Sequence, residues 1–298
     1  MSLGIVLLWL ATTGWFIHRE LWPLFFPNDA PPFVIDLGDE ITSQFSGPNR
    51  RSDALWEIQR NDEGIGYAES RLRYVKENDS FEMETRIKKL NLKGFVRVEI
   101  TEMISAYQVN RHGELLGLRL SGRMTLHLLG LVLSGSMDLT GEVKDGKLYR
   151  AGVLDLPGLG KIQPKFDVIE APRGSFLNPM HPVPKVRVRP GHRWRMPILD
   201  PLSDALEPIL QAIVEQVRPE QPIDLKKLLP ARPSFLDAEV LSELVTIDYY
   251  KYNEKVTCYV IEFRSEGRIA RTYVRETDGA VMRQEVFSQG EKIALVRL

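Results

Sequence analysis

Residues 115–149 read LLGLRLSGRMTLHLLGLVLSGSMDLTGEVKDGKLY, and no other stretch restricts the fold as much. Arg119, Arg123, Asp138, Glu142 and Asp145 lie toward its ends. Between them Leu126, Leu128, Leu129, Leu131, Val132 and Leu133 form a nearly unbroken apolar run. A strand wetted on one face alternates apolar and polar residues, whereas a run of this kind suits strands covered on both faces. Consecutive strands of this composition predict the middle of a large curved antiparallel sheet with an apolar cover over its concave face. That cover is either the protein's own core or a bound lipid-like molecule.

The chain of 298 residues is long enough to bury a substantial core. A formal net charge of -1 offers no electrostatic case for a nucleic-acid partner. Cys258 is the single cysteine, which excludes a disulfide framework or a cysteine zinc site within one chain.

At the N-terminus, residues 2–17 carry no charge, and His18-Arg19-Glu20 closes the run. The run falls short of the roughly 20 residues that cross a bilayer. Leu21-Trp22-Pro23-Leu24-Phe25-Phe26 then resumes with the aromatic character of a membrane boundary. A retained signal anchor, forming an N-terminal transmembrane helix over residues 1–26, is the preferred assignment because no A-x-A site follows. A cleaved signal peptide and a buried helix of the domain are the alternatives. No Lys or Arg precedes the run, so charge asymmetry says little about topology. Residues 27–53 are rich in prolines and polar residues and read as a linker or stalk, with a short strand suggested where Phe33, Ile35 and Leu37 alternate.

Residues 54–298 read as a single β-rich domain. A hairpin is predicted over 54–75 around Asn61-Asp62-Glu63-Gly64, followed by strands over 81–90 and 94–109. Asp145-Gly146 marks another tight turn, while Gly130, Gly135 and Gly141 are expected at bulges or bends. A short helical insert is predicted over 200–230. Asp200 caps with Pro201 behind it, Leu202, Leu206, Ile209, Ile213 and Val217 recur at helical spacing, and residues 223–229 form a second helix. Strands are expected again over 241–252, 255–264, 268–276, 280–287 and 292–298.

Two groups of residues carry a resemblance. Trp56-Glu57-Ile58 with Gly64-Ile65-Gly66-Tyr67 forms the first. Thr272-Tyr273-Val274 with Asp278-Gly279-Ala280-Val281-Met282-Arg283-Gln284-Glu285 forms the second. The chain resembles an uncharacterised family of extracytoplasmic bacterial β-proteins whose expected fold is similar to the half-open barrel of lipoprotein carriers. The resemblance implies a curved sheet with a helix over its mouth and no defined activity. With the anchor, it places the chain as a single-pass protein of a bacterial inner membrane with its β domain in the periplasm.

Catalytic patterns do not assemble. A cysteine nucleophile needs a histidine base in reach, yet no histidine follows Cys258, which sits in an apolar strand and reads as a core residue. His18, His112, His127, His181 and His192 show no helical metal spacing, so neither a metal nor a cofactor is expected. Gly135-Ser136-Met137 and Gly174-Ser175-Phe176 lack the nucleophile-elbow pattern.

Residues 171–199 hold six prolines and six cations with no acid. In Lys185-Val186-Arg187-Val188-Arg189 alternation puts three cations on one face of a strand. An edge strand whose charges discourage aggregation is the simpler reading. The other is a docking site for anionic headgroups or an acidic partner, formed by Lys185, Arg187, Arg189, Arg193 and Arg195. The sequence therefore points to a non-catalytic, membrane-anchored domain. In the first reading it binds a hydrophobic or lipid-like ligand in a trough of Leu126, Leu128, Leu131 and Leu133 under a lid of Leu206, Ile209 and Ile213. In the alternative it is a structural or protein-interaction domain of the cell envelope without a small-molecule ligand.

Overall fold

The computed structural model describes residues 51–92, 97–128, 131–158, 160–171, 188–197, 208, 211–212, 235–249, 254–265, 268–288 and 290–298. Its first half holds β1 (Arg51–Arg60), β2 (Glu63–Val75), β3 (Ser80–Leu92), β4 (Arg97–Asn110), β5 (Leu115–Leu128), β6 (Leu131–Lys144) and β7 (Lys147–Leu156). Short strands β8 (Gly160–Ile162), β9 (Ile169–Glu170) and β10 (Arg193–Pro197) follow. The second half holds β11 (Phe235–Val240), β12 (Val245–Tyr249), β13 (Glu254–Ser265), β14 (Arg268–Arg275), β15 (Val281–Ser288) and β16 (Glu291–Arg297).

Local chemistry sets the hairpins. Asn61 and Asp62 both take positive φ, 49° and 68°, as do Asp145 and Gly146 at 50° and 70°. Two consecutive positive φ values give the turn whose twist matches that of the flanking strands, and Asn, Asp and Gly tolerate it best. β1 begins at Arg51, ahead of the boundary expected at residue 54, because residues 51–53 already pair with 71–73 of β2.

All the described strands join one antiparallel sheet, in the order β10-β11-β13-β14-β15-β16-β1-β2-β3-β4-β5-β6-β7-β8, with β12 added beside β13 and β9 beside β7. The N-terminal and C-terminal meanders meet where β16 lies beside β1, pairing Trp56 with Arg297 through to Arg60 with Ile293. At the top of that seam Asn61 N–H donates to the Lys292 carbonyl at 2.8 Å, and Lys292 N–H returns to Asn61 Oδ1 at 2.9 Å. Among the described residues β8 and β10 do not pair with each other, and the described strands do not close into a barrel.

One face of this sheet is apolar along nearly its whole width. Trp56, Leu72, Met83, Val109, Leu118, Leu139, Leu154, Val240, Ile261 and Val281 belong to a single buried cluster that draws on both meanders. The opposite face of β2–β5 carries a net of ion pairs, in which Glu69 meets Lys88 at 3.3 Å and Arg86 and Arg123 both meet Glu102. That alternation of apolar inside and charged outside is what period-two strands give an antiparallel sheet.

Several expectations need correction. Gly135 and Gly141 sit at no bulge, since the β5–β6 register runs unbroken through both and the β6–β7 register through Gly141. The register shifts fall at Ile58/Gln59, Ile100/Glu102, Gln108/Val109 and Tyr273/Val274. Gly135 instead answers to crowding: a Cβ there would lie 2.2 Å from the Asp155 carbonyl oxygen. The strand expected over 241–252 is a bend followed by β12, and β11 precedes it. β11 and β12 pair in succession with the same edge of β13. β13 is long enough to hold both because the chain turns a corner at residues 241–244.

The expected anchor over 1–26 and stalk residues before Arg51 lie outside the described residues, and so does most of the insert over 200–230. Of that insert Pro208, Gln211 and Ala212 are helical, and Ala212 packs against the core. No helix among the described residues is long and apolar enough to cross a membrane.

Candidate functional site

The apolar run lies at the tip of the β5–β6 hairpin, where Leu126 stands opposite Leu133 and Leu128 opposite Leu131. Leu133 is half-buried against the core, whereas its neighbour Val132 is 62% exposed. Side-chain placement of Leu126, Leu128 and Leu131 is outside the described set, as are the lid residues Leu206, Ile209 and Ile213. Val98 of β4 stands opposite Leu126 and packs on the same core.

The basic segment divides. Lys185 and Arg187 lie outside the described residues, and Arg189 is exposed in a turn rather than in a strand, next to buried Val188. The strand here is β10. Its Trp194 is buried, edge-on to Phe263 at 6.4 Å between centroids, and the flanking arginines face acids of β11. Arg193 meets Glu239 at 2.7 Å, and Arg195 grips Asp237 with two bonds of 2.7 and 3.1 Å. The Asp237 hydrogen bond raises the Arg195 guanidinium above its ordinary pKa. These two cations are balanced by their own neighbours across the strand pair, an arrangement that suits an edge.

Cys258 is fully buried, and burial pushes its thiol up to about 11. A thiol held in that way is inert at neutral pH. His127 lies at the hairpin rim with Nε2 3.4 Å from Glu99 Oε1, and His192 stacks obliquely on Trp194. Among the described residues no group of His, Cys, Asp and Glu is placed to hold a metal ion.

A compact ionic network spans β13–β15. Glu262, 4% exposed, accepts bonds from Arg264 at 2.7 Å and Arg271 at 2.8 Å. Burial works against its charge, but the two guanidinium bonds outweigh burial and hold the carboxyl below its ordinary value. Glu285 accepts from the Tyr273 hydroxyl at 2.8 Å and pairs with Arg283 at 2.7 Å. Burial, and then the Glu285 bond, push the Tyr273 phenol up to about 12. Every carboxylate here is already spoken for by arginine, so the network braces the sheet and offers no general base.

The site that sequence reading misses is a notch of about 560 Å³ at the lower end of the seam between meanders. Asp53, Ala54 and Leu55 of β1 form one wall, Glu69, Ser70 and Arg71 of β2 extend it, and Tyr249, Arg275 and Arg297 complete it. Trp56 underlies it, donating Nε1–H to Ser70 Oγ at 3.0 Å, and the Arg297 guanidinium lies 6.0 Å from the centre of the indole. Arg275 is anchored by two bonds to Asp278 of 2.8 and 2.5 Å. Burial raises the Asp278 pKa, yet the Arg275 and Ala280 N–H bonds prevail and leave it below the ordinary carboxylate value. Arg71 differs from its neighbours: it approaches Asp53, Glu69 and Glu84 no closer than 3.6 Å. The only signal in the sequence is the alternation of Glu69, Arg71 and Arg73. Nothing local brings Tyr249 or Arg275 to them.

No protein-family model and no curated protein matches the chain. Among solved structures it is similar to a beta-barrel-like protein of the domain of unknown function DUF1849 from Brucella abortus. The similarity has 9% sequence identity and a TM-score of 0.40, covering 83% of this chain and 94% of the other.

Proposed function

We propose that the domain is a non-catalytic binding module that engages a macromolecular partner at its rims and edges, with its concave face filled by its own side chains. The observation that carries this reading is the core. Trp56, Val109, Leu148, Leu154, Leu156 and Val240 are fully buried within one cluster that spans both meanders. A face packed to that degree supplies stability, and function then falls to the surfaces left over. The tether over residues 1–26, the periplasmic placement and an envelope protein as partner belong to the same proposal and rest on the sequence.

A second reading keeps the half-open barrel of the lipoprotein carriers. It is favoured by Leu133, which packs on the core yet is only half-buried. In it a lipid-like ligand lies at the β5–β6 end against Leu126, Leu128, Leu131 and Leu133, beneath Leu206, Ile209 and Ile213. Lys185, Arg187 and Arg189 then face anionic headgroups beside Arg193 and Arg195. Organic extraction of the purified full chain followed by mass spectrometry separates the two. The module reading expects no stoichiometric lipid and no uptake of a hydrophobic dye. A lipid recovered in near-equal molar amount overturns it in favour of the carrier.

A further inference from the structure

We propose that the outer edge of β12 is a two-fold contact between copies of this chain, in which β12 pairs antiparallel with β12 of a second molecule about Ile247. The inference goes beyond the binding-module reading and does not depend on it.

Backbone parity shows which groups the edge presents. Leu241 N–H donates to the Val260 carbonyl at 2.8 Å, so Val260 turns its main-chain groups toward the β11–β12 side of β13. In an antiparallel ladder that direction recurs at every second residue. Val256 and Cys258 share it, because the registers of β13 run without a shift from Glu254 to Ser265. Their partners Val245 and Ile247 therefore bond to β13, while Thr246 and Asp248 turn N–H and C=O the other way. Among the described residues β13 is the one strand beside β12, and Leu244, Val245, Thr246 and Asp248 are exposed. Edges are ordinarily guarded by cations or proline. β10 has Arg193, Arg195 and Pro197, whereas Val245-Thr246-Ile247-Asp248-Tyr249 has neither.

The sequence of β12 names the occupant, because it complements itself. With Ile247 on the two-fold axis, Val245 lies opposite the partner's Tyr249, and Thr246 opposite the partner's Asp248. Thr246 then exchanges main-chain bonds with that residue, and its hydroxyl can donate to the carboxylate. Val245, Ile247 and Tyr249 share one face, where Ile247 and Tyr249 pack on the small cluster of Val256, Cys258, Ala280 and Met282. Pairing joins two such clusters and covers Val245, which is 37% exposed. Neighbouring registers are worse. An axis at Thr246 sets exposed Leu244 against the partner's Asp248, and an axis at Asp248 sets that carboxylate against itself.

A contact made by a five-residue strand belongs to the small, weak class of interface, so the test captures it covalently. Ile247→Cys is placed in the full chain and exposed to a mild oxidant. Residues on the axis lie about 4.5 Å apart at Cα in a pair of this kind, within disulfide reach. A reducible dimer is expected. Val245→Cys and Tyr249→Cys alone place their thiols roughly 13 Å from their copies and are expected to cross-link only when mixed with each other. The buried Cys258 serves as the background control.

A second arm keeps the native Ile247. Thr246→Asp sets like charges opposite each other twice and is expected to weaken dimerisation roughly tenfold in sedimentation, while adding Asp248→Lys restores it. Both positions are exposed, so this arm decides the matter if Ile247→Cys fails to fold. In the unaltered chain, protection of the Thr246 and Asp248 amides is expected to rise with protein concentration.

No dimer from Ile247→Cys, or equal cross-linking by Val245→Cys alone, overturns the contact. So does Thr246→Asp without effect, or a loss that Asp248→Lys does not restore. Protection of Thr246 and Asp248 that is independent of concentration also overturns it, since the chain's own residues then cover the edge.

Discussion

Trp56 and Arg297 stand opposite each other across the β1–β16 seam, with the guanidinium 6.0 Å from the centre of the indole. Their contact joins the first strand of one meander to the last strand of the other. The indole is fully buried and hydrogen-bonded to Ser70, so this residue links β16, β1 and β2 at once.

Trp56→Ala is accordingly expected to destabilise the fold by about 3–5 kcal/mol, the cost of deleting a large buried aromatic. Denaturant titration monitored by circular dichroism measures it. A loss below about 1 kcal/mol would show that the seam contributes little to global stability.

Crowding at Gly135 makes a second expectation. A methyl group there would lie 2.2 Å from the Asp155 carbonyl oxygen and 2.7 Å from Leu156 Cδ2. Gly135→Ala must push β7 away from β6, at a cost of about 1–3 kcal/mol. Had the residue served only as a flexible bend, alanine would be tolerated; the shift in denaturation midpoint distinguishes the two.

At acid pH, Glu262 and Asp278 both contribute to the stability profile. Both folded-state pKa values lie below the ordinary 4.5 and 3.8, after burial is outweighed by arginine bonds. The folded state therefore binds fewer protons than the unfolded one in this range. The stabilisation is complete above the ordinary values and disappears as pH falls through the lowered ones. Glu262→Gln is expected to flatten the acid limb of a thermal-stability profile below about pH 4.5.

The alkaline limb has the opposite origin. Burial raises Cys258 from 9.0 to about 11 and Tyr273 from 10.0 to about 12. Between the ordinary and raised values the unfolded chain has lost protons that the folded chain keeps, so stability falls as pH rises from 9.0 toward about 12. Cys258→Ala should remove the earlier part of that fall. The same burial predicts that a disulfide reagent leaves the native thiol unmodified at neutral pH and titrates it fully in denaturant. Rapid native labelling would place Cys258 at the surface.

Much of the strand pattern was legible because hairpins are local. Asn61-Asp62 and Asp145-Gly146 carry the positive φ values their turns require, and the alternation around them marks the faces. Short strands were harder. β10 hides among prolines, and β11 ends where the reading placed the start of one longer strand, since its pairing with β13 is set by a corner rather than by periodicity. The ion pairs of Arg193 and Arg195 were illegible for a related reason. Their acids lie in β11, separated from them by 42 or more residues, so a run of cations in the sequence became a balanced edge in the fold.

An antiparallel β protein, its hairpin turns and a buried Cys258 follow from neighbouring residues, because short-range sterics and period-two burial are local. That both meanders share one sheet, and that a notch lies at the end of the β1–β16 seam, emerges once the chain is folded. Those features depend on strands more than two hundred residues apart coming into register, and such pairing is set by packing of the whole core, which no single segment records.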